Sequence, residues 1–418
     1  MLWNGSKGTL ENCKFINNNA SHAGGSIRWT GENGTLVNST FDGNVAEAFG
    51  GAISWRGING NINNCYFINN IAKTNGGAID CSGSNFHVFN SNFINNSAIC
   101  GGGINWNGAE GIVSNCTFID NLASLHGGAI HWQHSNGILT GSNFINNKAT
   151  NAGGAIYWQG DNGTVSNSNF THNIAVNYYG GGIRWNGANG TLYGCTFTEN
   201  TAPQGGGIRW GGTNGNVTDS TFKSNTANYG GGIEWDGTNS NLVNVNFTNN
   251  YAVYGDNVYW YWTVEEFLNK YNQINDLDYV YIYNGVGTPS KTIVLNKKGI
   301  TISSEGNVTF DAKGGNVHFE VTGDNVLIEK ITFRNFNFTG YGGVILWNGT
   351  HGILKNCNFI NNTGHDGGAI DWRGANGTLS DSNFINNTLI NGFGGGFYWS
   401  GTNGIISSSH FIGNLVNA

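Results

Sequence analysis

The side chains best suited to acid–base chemistry lie in one short stretch near the C-terminal end of the chain. His365, Asp366, Asp371 and Arg373 form the densest polar group in the sequence. Glycoside hydrolases use paired carboxylates, and polysaccharide lyases combine carboxylates with calcium and a basic residue. We interpret this group as a solvated polar turn, and it is the best candidate for catalysis that the sequence offers.

A second set of polar residues recurs between an isoleucine and a tryptophan. Because side chains alternate faces along a strand, these residues are expected to point outward. No two acidic residues are adjacent along the row, and Arg209 beside Glu234 is expected to form an exposed ion pair of small energetic weight. We therefore recognise no catalytic, metal or cofactor site in the sequence. The row consists of Arg28, Ser54, Asp80, Asn105, His131, Tyr157, Arg184, Arg209, Glu234 and Tyr259.

Aromatic residues crowd the stretch between residues 251 and 262. Flat rings on a groove suit stacking against sugars, so Tyr251, Tyr254, Tyr259 and Tyr261 are candidate glycan contacts. The same rings would also cover the open end of a β structure. Each recurring tryptophan lies two positions after an isoleucine and therefore on the same face of the strand, which favours a place in the interior. An exposed ladder of tryptophans that binds glycans is the alternative.

These residues belong to a repeat that organises nearly the whole chain. Its template is Gly-Gly-(Ala/Gly)-Ile-x-Trp, a turn ending in Asn-Gly, an aliphatic residue, a Cys or Ser, and Phe-x-x-Asn, as in residues 153–175. The tryptophan recurs every 25 to 27 residues, with Cys81 in one of its positions. Dense glycine and asparagine exclude helix, and alternating apolar residues predict very short strands. The predicted fold is all-β, a right-handed parallel β-helix with three strands in each repeat-length coil.

Stacked coils place like residues over like residues. Isoleucine rests on isoleucine and phenylalanine on phenylalanine, and the asparagine of Phe-x-x-Asn is expected to form a hydrogen-bonded ladder. Because this asparagine falls at a bend, we expect it to adopt the left-handed conformation. One coil buries too little apolar surface to offset its ordering entropy, so coils must come in runs.

The repeat is interrupted once, and the interruption defines the predicted organisation. A first array covers residues 1–260, a junction covers 261–290, and a second array covers 291–418. A capping box that begins at Thr263 predicts one amphipathic helix over 263–274, followed by a strand. A single continuous β-helix with one excursion is the alternative.

The seven cysteines are expected to be mostly buried free thiols. Stacking would separate the nearest of those in the repeated slot by about 9.6 Å, which is too far for a disulfide. Cys81 and Cys100 are the pair for which a disulfide stays open. Five cysteines share a slot, mostly serine elsewhere, two residues before a repeat phenylalanine: Cys13, Cys65, Cys116, Cys195 and Cys357.

Charge and hydropathy exclude several classes of protein. A net charge of −7 without a basic run gives nothing that attracts nucleic acid. No stretch approaches the ~20 apolar residues that a membrane span needs, and no secretory signal precedes the first repeat. The chain starts and stops inside a repeat, so we expect it to be part of a larger protein.

The repeat motifs resemble those of surface proteins. Gly-Gly-Ala-Ile followed by Phe-x-x-Asn resembles the chlamydial polymorphic outer-membrane protein repeats. The fuller unit, with Ile-x-Trp, Asn-Gly-Thr and Phe-Ile-Asn-Asn, is similar to adhesin-like proteins of methanogenic archaea. The resemblance implies an extracellular or cell-surface location and adhesion to glycans or proteins of other cells.

We therefore expect a non-enzymatic, elongated surface protein that acts as a stalk or adhesive module. A carbohydrate-active lyase or hydrolase on the same fold is one alternative, and a glycan-binding module without catalysis is another. No cofactor is expected. The fold alone does not decide among these functions.

Overall fold

The computed structural model describes residues 1–416. The chain forms two compact units, Met1–Asn257 and Val258–Ala418. In each unit short parallel strands wind in the right-handed sense, and the chain has about 16 coils in all. The predicted fold class, an all-β right-handed parallel β-helix with one short α-helix, is confirmed.

Most coils of the first unit have four short strands rather than the predicted three, and the coil that begins at Ile183 has an isolated bridge at Thr201 in place of the fourth. The tryptophan sheet contains Leu2–Trp3, Ile27–Trp29, Ile53–Trp55, Ile79–Cys81, Ile104–Trp106, Ile130–Trp132, Ile156–Trp158, Ile183–Trp185, Ile208–Trp210 and Ile233–Trp235. The leucine sheet contains Thr9–Glu11, Thr35–Val37, Asn61–Asn63, His87–Phe89, Ile112–Ser114, Ile138–Thr140, Thr164–Ser166, Thr191–Tyr193, Asn216–Thr218 and Asn241–Val243.

The other two strand positions complete the coil. The phenylalanine sheet contains Lys14–Ile16, Thr40–Asp42, Tyr66–Ile68, Asn92–Ile94, Thr117–Ile119, Asn143–Ile145, Asn169–Thr171, Thr196–Thr198, Thr221–Lys223 and Asn246–Thr248. The alanine strands are Asn19–Ala20, Val45–Ala46, Ile71–Ala72, Ser97–Cys100, Leu122–His126, Lys148–Ala149, Ile174–Ala175, Thr226–Tyr229 and Tyr251–Tyr254. The alanine strands are the ones that the sequence pattern missed, because most of them have only two residues, too few to show an alternation of apolar and polar side chains.

Left-handed residues turn the chain at the corners of each coil. In the coil of residues 153–175 they are Gly153, Asn162, Asn167 and His172, with φ of 66°, 55°, 48° and 54°. The left-handed residue is thus His172, one position before Asn173. The expectation that the ladder asparagine itself is left-handed was wrong, because the preceding residue makes the turn and leaves the asparagine side chain pointing inward.

The core consists of stacked columns of identical side chains. Trp132 and Trp158 stack with ring centroids 4.4 Å apart, and Phe144 and Phe170 stack at 4.8 Å. All four rings are fully buried. The tryptophan column therefore lies in the interior, and the exposed-ladder alternative is excluded for the first unit.

A buried asparagine ladder runs beside these columns. Asn147 donates through Nδ2 to Asn173 Oδ1 at 3.0 Å and to the Phe118 carbonyl at 3.0 Å. Its backbone N–H also donates to Asn173 Oδ1, at 3.0 Å. Each buried amide of the ladder thus satisfies the coil on either side of it.

All seven cysteines are free thiols, so Cys81 and Cys100 do not form a disulfide. Cys81 leaves a gap in the tryptophan column, and Phe86 fills it. The Phe86 ring lies 5.0 Å from Trp55 and 5.5 Å from Trp106. Most other coils have a glycine at this position, because a side chain there would collide with the tryptophan ring. The small side chain of Cys81 leaves room for Phe86.

The second unit contains the helix. It spans Val264–Lys270 and continues as a 3-10 turn, Tyr271–Gln273, so the predicted extent of 263–274 holds with a change of helix type. Thr263 forms the predicted capping box with Glu266, which satisfies backbone donors at the first turn. The helix buries Val264 and Phe267, and the Phe267 ring lies 5.5 Å from that of Phe310.

The strands of the second unit form four parallel sets. One set contains Val258–Trp262, Tyr279–Ile282, Thr301–Ser304, Leu327–Glu329, Ile353–Lys355, Thr378–Ser380 and Ile405–Ser407. The second contains Gly285–Gly287, Val308–Asp311, Ile331–Arg334, Asn358–Ile360, Asn383–Ile385 and His410–Ile412. The third contains Ile293–Leu295, Phe319–Val321, Ile345–Trp347, Ile370–Trp372 and Phe397–Trp399, and the fourth contains Asn337–Tyr341, Thr363–His365, Thr388–Leu389 and Leu415–Val416.

Candidate functional site

The outward-facing residues of the tryptophan sheet in the first unit form the candidate site, which we call the outer row. It runs from Arg28 to Glu234, one residue per coil, and strand register places each member beside the next. Several members are buried although they lie on the outer face, which the sequence did not predict. They are Ser54, Asp80, Asn105, His131 and Glu234.

Two flanking rows explain this burial. In some coils the residue after the tryptophan, such as Gln133 or Asp236, folds back over the outer row and bonds to it. On the other side, the residue before the Gly-Gly pair is aromatic in some coils, and the rings of His126 and Tyr179 pack against outer-row side chains. Sequence reasoning missed these flanking residues, although their variation from coil to coil within an otherwise constant repeat was a usable signal.

The middle of the outer row is a continuous hydrogen-bond network. Asn105 donates to Asp80 at 2.8 Å, and its amide oxygen lies 3.0 Å from His131 Nδ1. His131 Nε2 lies 3.0 Å from Gln159 Oε1. Burial lowers the pKa of His131 to about 4 and raises that of Asp80 above its ordinary value. At neutral pH His131 is therefore an uncharged imidazole with a single N–H, so it donates to only one of the two amide oxygens, Asn105 Oδ1 or Gln159 Oε1.

Aromatic rings pack over this network. The Tyr157 ring lies 5.3 Å from His131 and 4.7 Å from His126. Its hydroxyl accepts a hydrogen bond from Asn186 at 3.0 Å. The His126 and His131 rings lie 6.3 Å from each other, so the three rings form one cluster over the network.

The far end of the row holds a buried ion cluster. Arg209 Nε donates to Glu234 at 2.8 Å, and Arg209 Nη2 donates to Asp236. The side chains of Arg209 and Glu234 are only 12% and 8% exposed, so the expectation of an exposed ion pair was wrong. Burial raises the pKa of Glu234 to about 7 and also raises that of Asp236. The prediction failed because the flanking rows exclude solvent from the outer face.

Arg184 lies next to this cluster. Its guanidinium and that of Arg209 lie over the Tyr179 ring at 4.8 and 5.0 Å from the centroid. Arg184 Nη1 is buried and makes no hydrogen bond, and neither does Asp236 Oδ1. Burial and the neighbouring Arg209 charge lower the pKa of Arg184 to about 10, so Arg184 stays cationic at neutral pH.

The predicted tyrosine contacts fall in both units. In the first unit, Tyr251 is 63% exposed, and Tyr254 stacks on Tyr229 at 5.1 Å. In the second unit, Tyr259 stacks on Tyr279 at 5.2 Å, and Tyr261 lies 5.3 Å from Tyr281. Stacked rings cover one another's faces, so these columns present ring edges and hydroxyls to solvent.

Two members of the predicted acid–base group in the second unit, Asp371 and Arg373, form an ion pair. Arg373 donates to Asp371 Oδ2 through Nε at 3.0 Å and through Nη2 at 2.6 Å, and its guanidinium lies 4.5 Å from the centre of the Tyr341 ring. Asp366 accepts from the Phe393 backbone N–H at 2.7 Å, and His365 is half-buried at the end of a strand. Asp371 is fully buried beneath Arg373, so its carboxylate does not face a substrate.

Residues 1–416 contain neither a cluster of metal-binding side chains nor a helix that could span a membrane. No group of three or more His, Cys, Asp or Glu side chains there has the arrangement to hold a metal ion. No helix in this range combines the length and apolarity that a bilayer crossing requires.

Two family models match parts of the chain. A model described as a right-handed beta helix region matches residues 102–263. The Chlamydia polymorphic membrane protein repeat matches residues 38–54 and 64–82, which agrees with the resemblance drawn from the Gly-Gly-Ala-Ile motifs. No curated protein sequence matches the chain.

Similar solved structures are distant. The PL6 family alginate lyase AlyGC has 11% identity and a TM-score of 0.28, with 97% of this chain and 86% of that chain covered. The tailspike of E. coli bacteriophage HK620, in complex with a pentasaccharide, has 15% identity and a TM-score of 0.34, with 97% and 60% covered. The Streptococcus pneumoniae surface protein and adhesin PfbA has 11% identity and a TM-score of 0.24, with 98% and 92% covered. The assignment of the fold rests on the strand pairing itself.

Proposed function

We propose that this chain is an extracellular, adhesin-like β-helix that binds glycans through the outer row of its first unit and does not cleave them. The observation that carries the proposal is the contrast between a nearly constant interior and an outer row that changes at nearly every coil. A row of amide, imidazole, phenol and guanidinium groups offers donors and acceptors at the spacing of the coils, about 4.8 Å. An extended saccharide presents hydroxyls at intervals of similar size.

The tyrosine columns are a proposed second contact surface. Tyr251 and Tyr254 in the first unit, and Tyr259 and Tyr261 in the second, present hydroxyls and ring edges to solvent. Phenol groups of this kind combine an apolar body with a hydrogen-bonding tip, which suits carbohydrate surfaces.

A glycan array tests the proposal. We expect the protein to bind a defined set of oligosaccharides, and His131→Ala with Tyr157→Ala to weaken binding by about tenfold or more, the value of a lost hydrogen-bonded contact. Tyr259→Ala with Tyr261→Ala should have a smaller effect. Lys148→Ala, which is exposed on an alanine strand of the same unit and lies outside the outer row, is the matched control. Absence of binding to every glycan, with the fold intact by circular dichroism, would overturn the proposal.

A carbohydrate-active enzyme is the second candidate, and one observation favours it. Glu234 and Asp236 both bond to Arg209, and the pKa of Glu234 is raised to about 7, a value suited to a general acid at neutral pH. Binding without cleavage is better supported, because Arg209 occupies both carboxylates. Release of reducing ends or unsaturated products from any polysaccharide, abolished in Glu234→Gln, would establish the enzyme instead.

A further inference from the structure

The helix of the second unit borders two open cavities, one of about 440 Å³ and one of about 350 Å³. Both volumes fall within the range of small-molecule sites, about 300–1,000 Å³. One wall is the helix with its 3-10 turn, and the other is the segment of residues 286–297. Glu265, Leu268 and Asn269 line the larger cavity and share one helix face, because residues three and four positions apart are neighbours there.

Contacts at both ends hold the two walls together. A side chain at Gly287 would collide with Val264 and Leu268, so the helix lies directly against the strand that contains this glycine. At the other end, the Tyr271 hydroxyl donates to the Thr292 carbonyl at 3.1 Å. Lys291 of the larger cavity lies over the Tyr271 ring of the smaller one, with Nζ 5.5 Å from the ring centre. The two cavities therefore lie side by side as one groove, which we call the helix groove.

The lining of the helix groove is accessible to solvent and combines polar with apolar groups. Val286 and Val294 point outward from their strands and are 63% and 39% exposed. Exposed amide and hydroxyl side chains surround them and form no hydrogen bond within residues 1–416: Asn269, Asn272, Thr288, Ser290 and Asn296. Amides and hydroxyls both donate and accept hydrogen bonds, so this lining suits a ligand with many hydroxyls and small apolar faces.

The charges along the helix groove are uneven. In the larger cavity Lys291 is accompanied by Glu265, so the two charges offset each other. Of the described residues that line the smaller cavity, Lys297 alone is charged. Lys297 takes part in none of the ion pairs within residues 1–416. A negatively charged group on a ligand is therefore favoured at the Lys297 end.

We propose that the helix groove binds a linear anionic oligosaccharide, whose charged group lies at Lys297 and whose hydroxyls bond to the amide and hydroxyl side chains. An extended peptide fits less well, because it would bind by pairing with a strand edge. The helix lies against Gly287, and Tyr271 already bonds to the Thr292 carbonyl. This inference goes beyond the proposed function, because it adds a second saccharide site that is separate from the outer row.

Titration calorimetry on the whole chain tests the site with three ligands: a linear tetramer of a uronic acid, its methyl ester and a sulfated neutral tetramer. We expect the acid to bind and the uncharged ester to bind about fivefold more weakly, the upper value for an exposed ion pair. Lys297→Gln should weaken binding of the acid to the same extent. Lys298→Gln changes the next lysine, which does not line the groove, and should leave binding unchanged.

A second pair of variants tests the groove without altering a charge. Val294→Trp fills the smaller cavity from an outward position and should weaken binding at least ~10-fold, because the ligand would clash with the new ring. Ile353→Trp, at an outward position of the same unit that is 41% exposed, is the matched control. Circular dichroism and thermal unfolding verify that each variant is folded. The sulfated tetramer shows whether the groove accepts any anion or selects the carboxylate.

The outcomes separate this inference from the proposed function. His131→Ala with Tyr157→Ala, which alters the outer row, should leave binding of the uronic acid tetramer unchanged. If the acid binds but Lys297→Gln and Val294→Trp have no effect, the helix groove is not the site. If the ester binds as tightly as the acid, the proposed ligand class is wrong. If neither anionic tetramer binds, or an acidic peptide binds in their place, this inference is overturned, and the outer row is judged separately by the glycan array.

Discussion

The asparagine ladder inside the first unit and the outer row on its surface are built from the same strands but satisfy their polar groups differently. In the ladder, Asn121 Nδ2 donates to Phe93 O at 2.8 Å and to Asn147 Oδ1 at 3.0 Å, and its own Oδ1 accepts from Asn96. Every coil repeats this arrangement. In the outer row, side-chain types change at nearly every coil, and Arg184 Nη1 remains without a hydrogen-bond partner, as does Asp236 Oδ1 in the flanking row.

The difference teaches where stability and recognition reside in this molecule. Identical residues stacked in register satisfy one another, so the ladder and the aromatic columns contribute structure and leave nothing for a ligand. Unlike residues in register satisfy one another only in part. The outer row therefore retains polar atoms without hydrogen-bond partners.

The largest expected effect comes from breaking the ladder. Asn121→Ala removes four hydrogen bonds, two donated by Asn121 Nδ2 and two accepted by its Oδ1 from Asn96. At about 1 kcal/mol each, the expected loss of unfolding free energy is ~3–5 kcal/mol. Asn105→Ala, an equally buried asparagine of the outer row, should cost less, ~1–2 kcal/mol, because its partners Asp80, His131 and Gln133 are side chains that can reorient. Urea unfolding measures both, and equal losses would contradict the contrast.

A second prediction concerns the interior column at its one exception. Phe86→Gly empties the space between Trp55 and Trp106 and should cost about 3 kcal/mol or more, as large-to-small core changes do. Cys81→Trp alone overfills it and should cost about 1–3 kcal/mol. The double variant restores the common repeat and should unfold within ~1 kcal/mol of the unmodified protein. Additive losses in thermal or urea unfolding would show that Phe86 does not replace the missing ring.

The third prediction uses the pH dependence of the outer row. Burial raises the pKa of Glu234 from 4.5 to about 7 in the folded state. The folded chain therefore binds a proton at Glu234 more tightly than the unfolded chain does. This contribution to the unfolding free energy is fully present below about pH 4.5 and is lost as the pH rises through 7. The total loss is on the order of 2 kcal/mol. Glu234→Gln should flatten the decline between pH 5 and pH 8 in urea unfolding. An unchanged pH profile would mean that Glu234 is already ionised at pH 5.

The smallest effect is expected in the repeated slot before the phenylalanines. Cys116 Sγ lies 3.3 Å from the Ser114 carbonyl, and Ser142 Oγ makes the corresponding contact to Thr140 O at 3.0 Å in the next coil. Cys116→Ser should therefore change the unfolding free energy by less than ~1 kcal/mol, since the new hydroxyl finds the same partner. A larger loss in thermal unfolding would show that the slot selects for sulfur rather than for size.

Much of the fold was predictable because the same pattern of residues recurs in nearly every coil. The period of Trp and Phe, the alternation in Ile156 and Trp158, and the capping box at Thr263 each depend on local sequence. The alanine strands and the placement of the left-handed residue at His172 were not predictable, because both depend on which of several polar corner residues turns inward.

The candidate site was predicted only in part. Alternation placed Asp80, His131, Arg209 and Glu234 on the outer face, but it could not show that the residues after tryptophan fold over them. Burial of this row, and with it the raised pKa of Glu234, depends on side chains two residues along and one coil away.

By itself the sequence determined the coil, its period and the columns of its core, because those follow from the spacing of like residues along one chain. The tertiary structure decided which outward residues are shielded from solvent and which buried polar atoms remain unpaired, such as Arg184 Nη1 and Asp236 Oδ1. The physical reason is that solvent exclusion and hydrogen-bond satisfaction depend on contacts between coils. Residues about 25 positions apart in sequence become neighbours only when the coils stack in register.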